Sequence, residues 1–89
     1  DFASGTDELL FENQAFTALG ISGALAAGDG RFRAGAGVTG GQDSTDRLVY
    51  DTSTGSLYYD ADGSGAGASQ LIATFAGNPV LTATDITVI

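Results

Sequence analysis

The stretch DRLVYDTSTGSLYYD, residues 46–60, decides the fold of this chain of 89 residues. Leu48 and Tyr50 alternate with Arg47 and Val49, and this pattern predicts a strand. The turn DTSTGS follows, and Gly55 can take the positive φ that a bulged hairpin loop needs. Residues 57–60 then return antiparallel to the first strand. The stretch therefore predicts a β-hairpin.

The rest of the chain adds short elements on both sides of this hairpin. Apolar alternation and β-branched runs predict further strands at residues 8–12, 31–35, 71–75 and 86–89. Short helical turns are expected at residues 13–19, where Asn13 can act as N-cap, and at residues 22–27 and 81–85. The prediction is one mainly β domain over residues 1–89: a small antiparallel sheet or sandwich-like cap built on the hairpin, with one or two short helical turns.

The charge of the chain limits what it can bind and how it can be stabilised. Eleven acidic residues face three arginines and no lysine, for a net charge of −8, and cysteine and histidine are absent. Such a surface repels nucleic acid and anionic membranes. A domain of this size is marginal without a further stabilising link, and disulfides and histidine or thiolate metal sites are excluded. The remaining sources of stability are bound calcium, oligomerisation or attachment to a larger neighbour.

Segments that would place the chain in or across a membrane are not found in the sequence. No apolar run approaches the roughly 20 residues of a membrane span. No basic segment followed by an apolar segment opens the chain. If the protein is secreted, we expect its targeting signal to lie elsewhere than at residue 1.

The segment after the hairpin, residues 60–70, is acidic and rich in glycine. Asp60 and Asp62 stand two residues apart, and glycines at 63, 65 and 67 allow sharp backbone turns. Counted from Asp60, the segment follows the first half of an EF-hand loop, with Ser64 in the fifth place and the Ala66 carbonyl in the seventh. The twelfth place, however, holds leucine instead of a bidentate glutamate. Two hypotheses remain: a calcium loop that takes ligands from elsewhere in the chain, or a polar turn between strands.

Catalysis by this chain is not expected. Asp60 and Asp62 are too close in sequence to flank a glycosidic bond. No serine has a histidine or lysine partner that could activate it. The glycines after Asp62 lack the lysine and the strand–loop–helix context of a phosphate-binding loop. The sequence therefore predicts a protein that is not an enzyme.

Four motifs in a fixed order resemble a known family. DF-x-x-G-x-D lies at residues 1–7, DRLVYD at 46–51, TG-x-LYYDADGSGAGA at 54–68, and LTATDITVI at 81–89. This order resembles the C-terminal cap of repeats-in-toxin (RTX) proteins, the hemolysin-type calcium-binding exoproteins of Gram-negative bacteria. The resemblance spans nearly the whole chain and says little about the activity of a parent protein.

The resemblance implies a calcium-dependent partner upstream and ligands in this chain. A parallel β-roll of GGxGxDxUx repeats, which this chain lacks, would precede residues 1–12, and those residues would close its last turn. The implied calcium ligands are Asp1, Asp7, Asp60 and Asp62, with Ser64, Ala66 and Asp46 as weaker candidates. Residues 81–89 would carry the uncleaved signal read by the type I secretion apparatus, namely Asp85, Ile86, Thr87, Val88 and Ile89. The alternative for this tail is a last strand of the sheet.

Two functional hypotheses follow. The first is a calcium-binding module that caps a β-roll, folds outside the cell and carries the secretion signal, so that the protein is extracellular. The second is an interaction module: a self-assembling unit of a surface layer or filament, or a polysaccharide-binding module. In that hypothesis, open edges at Phe32 and at residues 86–89 pair between copies, and Arg31 and Arg33 contact an acidic sugar. Arg47 could instead be an internal partner of Asp46 or Asp60.

Overall fold

The computed structural model describes residues 7–20, 22–41, 44–63 and 69–89. The expected ligands Asp1, Ser64 and Ala66 lie outside these residues. Within them the chain is mainly β, as predicted. The strands are β1 (Leu9–Phe11), β2 (Gly23–Ala24), β3 (Phe32–Gly35), β4 (Leu48–Asp51), β5 (Ser56–Tyr59), β6 (Gln70–Thr74) and β7 (Ile86–Val88).

The predicted hairpin is confirmed and forms the middle of a four-stranded sheet, which we call sheet B. β4 and β5 pair antiparallel, with Leu48 opposite Tyr59 and Asp51 opposite Ser56. Gly55 closes the turn at φ 76°, in the left-handed region that favours glycine. All four residues of β4 are buried, because β4 has paired strands on both sides and packed side chains on both faces.

Sheet B has the order β3-β4-β5-β6, so β3 and β6 are its outer strands. β6 pairs antiparallel with β5, with a bulge at Leu57/Tyr58. β3 is the predicted strand at residues 31–35, and it pairs parallel with β4, not antiparallel. A parallel pair needs a connection that returns to the start of the sheet. Residues 36–47 connect the two strands, and we call them the crossover segment; the structure describes residues 36–41 and 44–47 of it, and these contain no helix.

A second sheet, sheet A, joins the two ends of the chain. Its order is β1-β7-β2; β1 pairs parallel with β7, and β2 pairs antiparallel with it. The expected terminal strand is therefore confirmed as β7. The expected open edge at residues 86–89 is wrong, because β7 has a partner on each side. The expected antiparallel pairing holds for β2–β7, β4–β5 and β5–β6, whereas β1–β7 and β3–β4 are parallel pairs.

The helical predictions hold only in part. A 3₁₀ turn forms at Ala83–Asp85, as expected. Residues 13–19 contain only the 3₁₀ turn Thr17–Leu19, and its N-cap is Phe16, not Asn13. Residues 22–27 hold β2 instead of a helical turn, because the Leu25 N–H donates to the Ile86 carbonyl at 2.9 Å. Isolated helices this short are unstable, and packing on β7 decides the conformation.

One hydrophobic core joins the two sheets. Sheet A contributes Phe11, Ile86 and Val88, and sheet B contributes Leu48, Tyr50, Leu57 and Tyr59. The Phe16 ring makes edge contacts with the rings of Phe11 and Tyr59, at centroid distances of 5.3 and 5.0 Å. The Tyr59 hydroxyl also accepts the Ala18 N–H at 3.1 Å. Burying this apolar surface in both sheets at once fixes the end of the hairpin that carries Asp60.

Candidate functional site

The candidate site is the Asp60 cradle, which we define as Gly40, Gly41, Asp60, Asp62 and Gly63. Asp60 follows the last residue of β5 and is only 3% exposed. Its own N–H donates to the Arg47 carbonyl at 2.7 Å, which extends the hairpin ladder by one bond. The position of this carboxylate is therefore set by the sheet and not by a flexible loop.

Two backbone N–H groups hold the Asp60 carboxylate. Oδ2 accepts from Gly41 at 3.0 Å, and Oδ1 accepts from Asp62 at 3.3 Å. Among the described residues, no arginine forms an ion pair with Asp60. A buried charge without a charged partner is costly in free energy. Each carboxylate oxygen still has a lone pair for a further donor or a cation.

The backbone of the crossover segment approaches this carboxylate closely. A Cβ atom on Gly41 would stand 2.6 Å from the Gly63 carbonyl oxygen, so only glycine fits there. A Cβ on Gly40 would lie 3.6 Å from Asp60 Oδ2, an ordinary contact. The hydroxyl of Ser69 donates to the Thr39 carbonyl and holds the same loop from the other side. The Asp60 carboxylate and the Gly63 carbonyl thus both lie close to Gly41.

The cradle suits calcium in the chemistry of its donors. Ca²⁺ takes six to eight oxygen ligands from carboxylates, carbonyls and water. Asp60 and the Gly63 carbonyl are of this kind, and Asp62 is exposed two residues further on. In the part of the chain that the structure describes, no three acidic side chains converge as a metal-binding group. These residues alone therefore give part of a calcium coordination shell.

The other predicted ligands lie outside the cradle. Asp7 is exposed just before β1, and Asp46 is buried just before β4. Both take part in further interactions. The structure therefore joins Asp60 and Asp62 through the Asp62 N–H and places Asp7 and Asp46 outside the cradle; that these acids bind a metal stays a prediction.

Sequence reasoning missed Asp51, the buried acid at the other end of the hairpin. Its Oδ1 accepts the Gly37 N–H at 2.8 Å, the Ser53 N–H at 2.9 Å and the Ser53 hydroxyl. The signal was present, because Asp followed two residues later by Ser is an Asx-turn pattern. Asp51 anchors the start of the crossover segment, and Asp60 anchors its middle through Gly41.

Asp51 leads to a prediction on acid stability. Hydrogen bonds from the Ser53 hydroxyl and the Gly37 N–H lower the pKa of Asp51 from 3.8 to about 2. Because the folded pKa is the lower one, the stabilisation is complete above pH ~4 and is lost as the pH falls towards ~2. Thermal melts should therefore show a midpoint that drops over this range. In Asp51→Asn this part of the drop should be missing.

A matched control separates Asp51 from a second acid. The pKa of Asp29 is also lowered, first by its side-chain hydrogen bond with Arg31. Asp29→Asn should therefore keep the part of the pH dependence that belongs to Asp51. Equal pH dependence in Asp51→Asn and the parent chain would contradict the assignment.

The three arginines have different environments. Arg31 pairs with Asp29 at 2.8 Å and donates to the Leu19 carbonyl at 2.6 Å. Arg47 donates to the carbonyls of Ser44 and Asp46, at 2.8 and 2.7 Å, so its contact with Asp46 includes the backbone. The Nε atoms of Arg33 and Arg47 are both buried and have no acceptor among the described residues. Of the two predicted ligand-binding arginines, Arg31 is thus already paired with Asp29, and no ion pair of Arg33 is found among the described residues.

The residues expected to carry a secretion signal are part of the folded core. The Asp85 carboxylate accepts the Thr82 N–H at 2.9 Å and completes a capping box. Ile86 and Val88 are buried in sheet A, Thr87 is half-buried, and Ile89 is exposed. In the folded chain the side chains of Asp85, Ile86 and Val88 are therefore inaccessible to a receptor, whereas Ile89 remains exposed.

Comparison of the chain with protein-family models, with curated proteins and with solved structures found no match. Within the described residues, no helix has the length and apolar character needed to cross a membrane.

Proposed function

We propose that this chain is a calcium-stabilised cap of the RTX type, which closes a preceding β-roll and folds after export. The observation that carries the proposal is the Asp60 cradle: a carboxylate that is 3% exposed, held by two N–H groups and paired with no arginine among the described residues. In a chain of net charge −8, a bound divalent cation would offset this buried charge.

Each part of the site has a role in this proposal. Asp60 and the Gly63 carbonyl would face the cation, and Asp62 would add a second carboxylate from the exposed side. Gly41 would hold the crossover segment against them, so that cation binding and closure of sheet B are coupled. A bound calcium ion supplies positive charge among these oxygens. Without it, repulsion among the acids favours the open chain.

Sheet A supports the capping role. β1 is an outer strand, with Leu10 60% exposed, and no described strand pairs with its free side. A parallel strand of a preceding β-roll could extend the sheet at this edge, which would otherwise expose unpaired backbone groups. We further propose that the protein is extracellular, has no catalytic activity of its own, and exposes residues 85–89 to the type I secretion apparatus while still unfolded.

Calcium should raise the stability of the isolated chain. At a free concentration 100 times the dissociation constant, one site adds about 2.7 kcal/mol. For a domain of this size that is a rise of about 10–20 °C in the melting midpoint. The measurement is a thermal melt followed by circular dichroism, in millimolar calcium and in chelator.

Variants locate the effect in the cradle. Asp60→Asn should remove most of the calcium-dependent rise. Glu12→Gln removes the same formal charge from an exposed position outside the cradle and should leave the rise intact. Magnesium at the same concentration tests for a general charge effect. Equal midpoints with calcium and with chelator would rule out the proposal.

A further inference from the structure

The sequence contains the pair Asp–Gly twice, at residues 29–30 and 62–63, and the structure describes both pairs. An aspartate followed by glycine is prone to isomerisation, because glycine has no side chain to shield its amide nitrogen from the preceding carboxyl group. That nitrogen attacks the carboxyl carbon and closes a five-membered ring. Whether the ring can close in a folded chain depends on how firmly the fold holds the aspartate.

Asp29 is held in place by Arg31. Its Oδ1 accepts the Arg31 main-chain N–H at 2.9 Å and the Arg31 Nε–H at 3.0 Å, and its Oδ2 accepts from Arg31 Nη2 at 2.8 Å. The same side-chain contact lowers the pKa of Asp29, so its carboxyl group stays ionised, which is the form that loses water less readily. The Asp29 carboxyl carbon can approach the Gly30 nitrogen only if these hydrogen bonds break.

Asp62 lies in a different environment. It is exposed in the turn at residues 61–63, beyond Asp60, whose N–H bonds the Arg47 carbonyl beside the end of β5. Its main-chain N–H donates to Asp60 Oδ1 at 3.3 Å, and this group takes no part in ring closure. Gly63 follows at φ 64°. The Asp62 carboxyl group can therefore turn towards the Gly63 nitrogen without opening the ladder of sheet B.

We propose that Asp62 is a site of spontaneous isomerisation to isoaspartate in the folded chain, whereas Asp29 is protected by Arg31. The Gly63 nitrogen forms a bond with Asp62 Cγ, and the proton of this nitrogen leaves with the carboxyl hydroxyl as water, which gives a succinimide. Water then adds to the main-chain carbonyl carbon of Asp62 and breaks its bond with the Gly63 nitrogen. The chain continues through Cγ, and the former main-chain carbonyl becomes a free carboxylate. The water lost in the first step is regained in the second, so no other reactant is needed.

The modification acts on the Asp60 cradle. It inserts a methylene group into the main chain between Asp62 and Gly63 and moves the carboxylate. The Gly63 carbonyl has no space to move towards Gly41, because a Cβ on Gly41 would already stand 2.6 Å from its oxygen. The isoaspartate form should therefore melt several degrees below the unmodified chain.

The test compares the two Asp–Gly pairs within one sample. The whole chain is incubated at neutral pH with chelator, below its melting midpoint, and peptide mapping with electron-transfer fragmentation distinguishes isoaspartate from aspartate. Isoaspartate should accumulate at Asp62 about tenfold faster than at Asp29, since Asp29 reacts only after local opening. In concentrated urea the two positions should react at similar rates, which gives the reactivity of each pair without the fold.

Three variants separate the chemistry from the fold. Asp62→Glu keeps a carboxylate but would need a six-membered ring, so isomerisation at this position should fall to background. Asp62→Asn forms the same succinimide with loss of ammonia and should react faster than the parent chain. Arg31→Gln removes the side-chain bonds that hold Asp29 and should raise the rate at Asp29 towards its value in urea.

Several outcomes would overturn the proposal. They are equal rates at Asp62 and Asp29 in the folded chain, no deamidation of Asp62→Asn, and an unchanged rate at Asp29 in Arg31→Gln. An isoaspartate form that melts like the unmodified chain would overturn the effect on the cradle. Because every sample contains chelator, these results do not depend on calcium, and the calcium melts of the parent chain test the proposed function separately.

Discussion

Replacing Gly55 with alanine should strongly destabilise this protein, because the added methyl group meets both an unfavourable φ and a backbone clash. Gly55 has φ 76°, which costs about 1–2 kcal/mol for an L-residue. In addition, the new Cβ would stand 2.3 Å from the Phe75 carbonyl oxygen and 3.0 Å from Asn78 Oδ1. The Phe75 N–H bonds the Gly55 carbonyl at 2.7 Å, so the turn cannot move without opening the end of β6. We expect a loss of about 3–5 kcal/mol.

Gly28 offers a matched control for Gly55. It has the same φ of 76°, but a Cβ there meets no atom within 4 Å. Gly28→Ala should therefore cost only the conformational part, about 1–2 kcal/mol. Urea unfolding of both variants gives the difference, which measures the close approach between the hairpin turn and residues 75–78. Equal losses of unfolding free energy in the two variants would show that the close contact between the hairpin turn and residues 75–78 adds nothing to the effect of Gly55→Ala.

Gly41→Ala should open the Asp60 cradle. Its φ is outside the left-handed region, so space alone excludes a side chain. The new Cβ would lie 2.6–2.9 Å from three backbone atoms of Gly63, and backbone atoms cannot rotate away as a side chain can. The crossover segment would have to withdraw, which breaks the Gly41–Asp60 hydrogen bond. We expect a loss of about 2–4 kcal/mol, together with most of the calcium-dependent stabilisation.

The neighbouring glycine provides the control for this change. Gly40→Ala adds the same methyl group at 3.6 Å from Asp60 Oδ2, which is ordinary contact. Its unfolding free energy should stay within about 0.5 kcal/mol of the parent chain, with the calcium response unchanged. Thermal melts of both variants, with calcium and with chelator, make the measurement. If Gly41→Ala kept the full calcium-dependent stabilisation, calcium would not bind at the Asp60 cradle.

Local patterns predicted the hairpin because its signals are local. Alternation over residues 47–50 and a glycine at 55 specify two strands and a turn within fifteen residues. β3 was predicted for the same reason. Its parallel pairing with β4 was not, because that pairing depends on the crossover segment, which Asp51 and Asp60 hold through single N–H groups. Single hydrogen bonds of this kind produce no periodic pattern from which they could be predicted.

Regions without a strong period were predicted less well. The residues between Asn13 and Ala27 were expected to be helical from caps and small residues, yet Leu25 bonds to Ile86, more than sixty residues away. Tertiary contacts overrode a weak local preference. For the candidate site, the sequence singled out Asp60 and Asp62 by spacing. The contribution of Gly40 and Gly41 could not be predicted, since no motif links them to residue 60.

Asp85 shows how one residue supports two interpretations. Thr82 and Asp85 fit the S/T-x-x-D/E capping pattern, which the structure contains as a capping box. The same acid begins the tail that resembles a secretion signal. The capping box exists in the folded chain, and the proposed signal would be read in the unfolded chain, so the two interpretations do not compete.

The place of β7 in sheet A has a consequence for biosynthesis. A ribosome must add Val88 before β1 and β2 acquire the strand that lies between them. Leu9 is synthesised early but pairs with Ile86, so the intervening residues form a long loop, and closing it is slow. During translation the nascent polypeptide therefore lacks sheet A until residues 86–88 have been added.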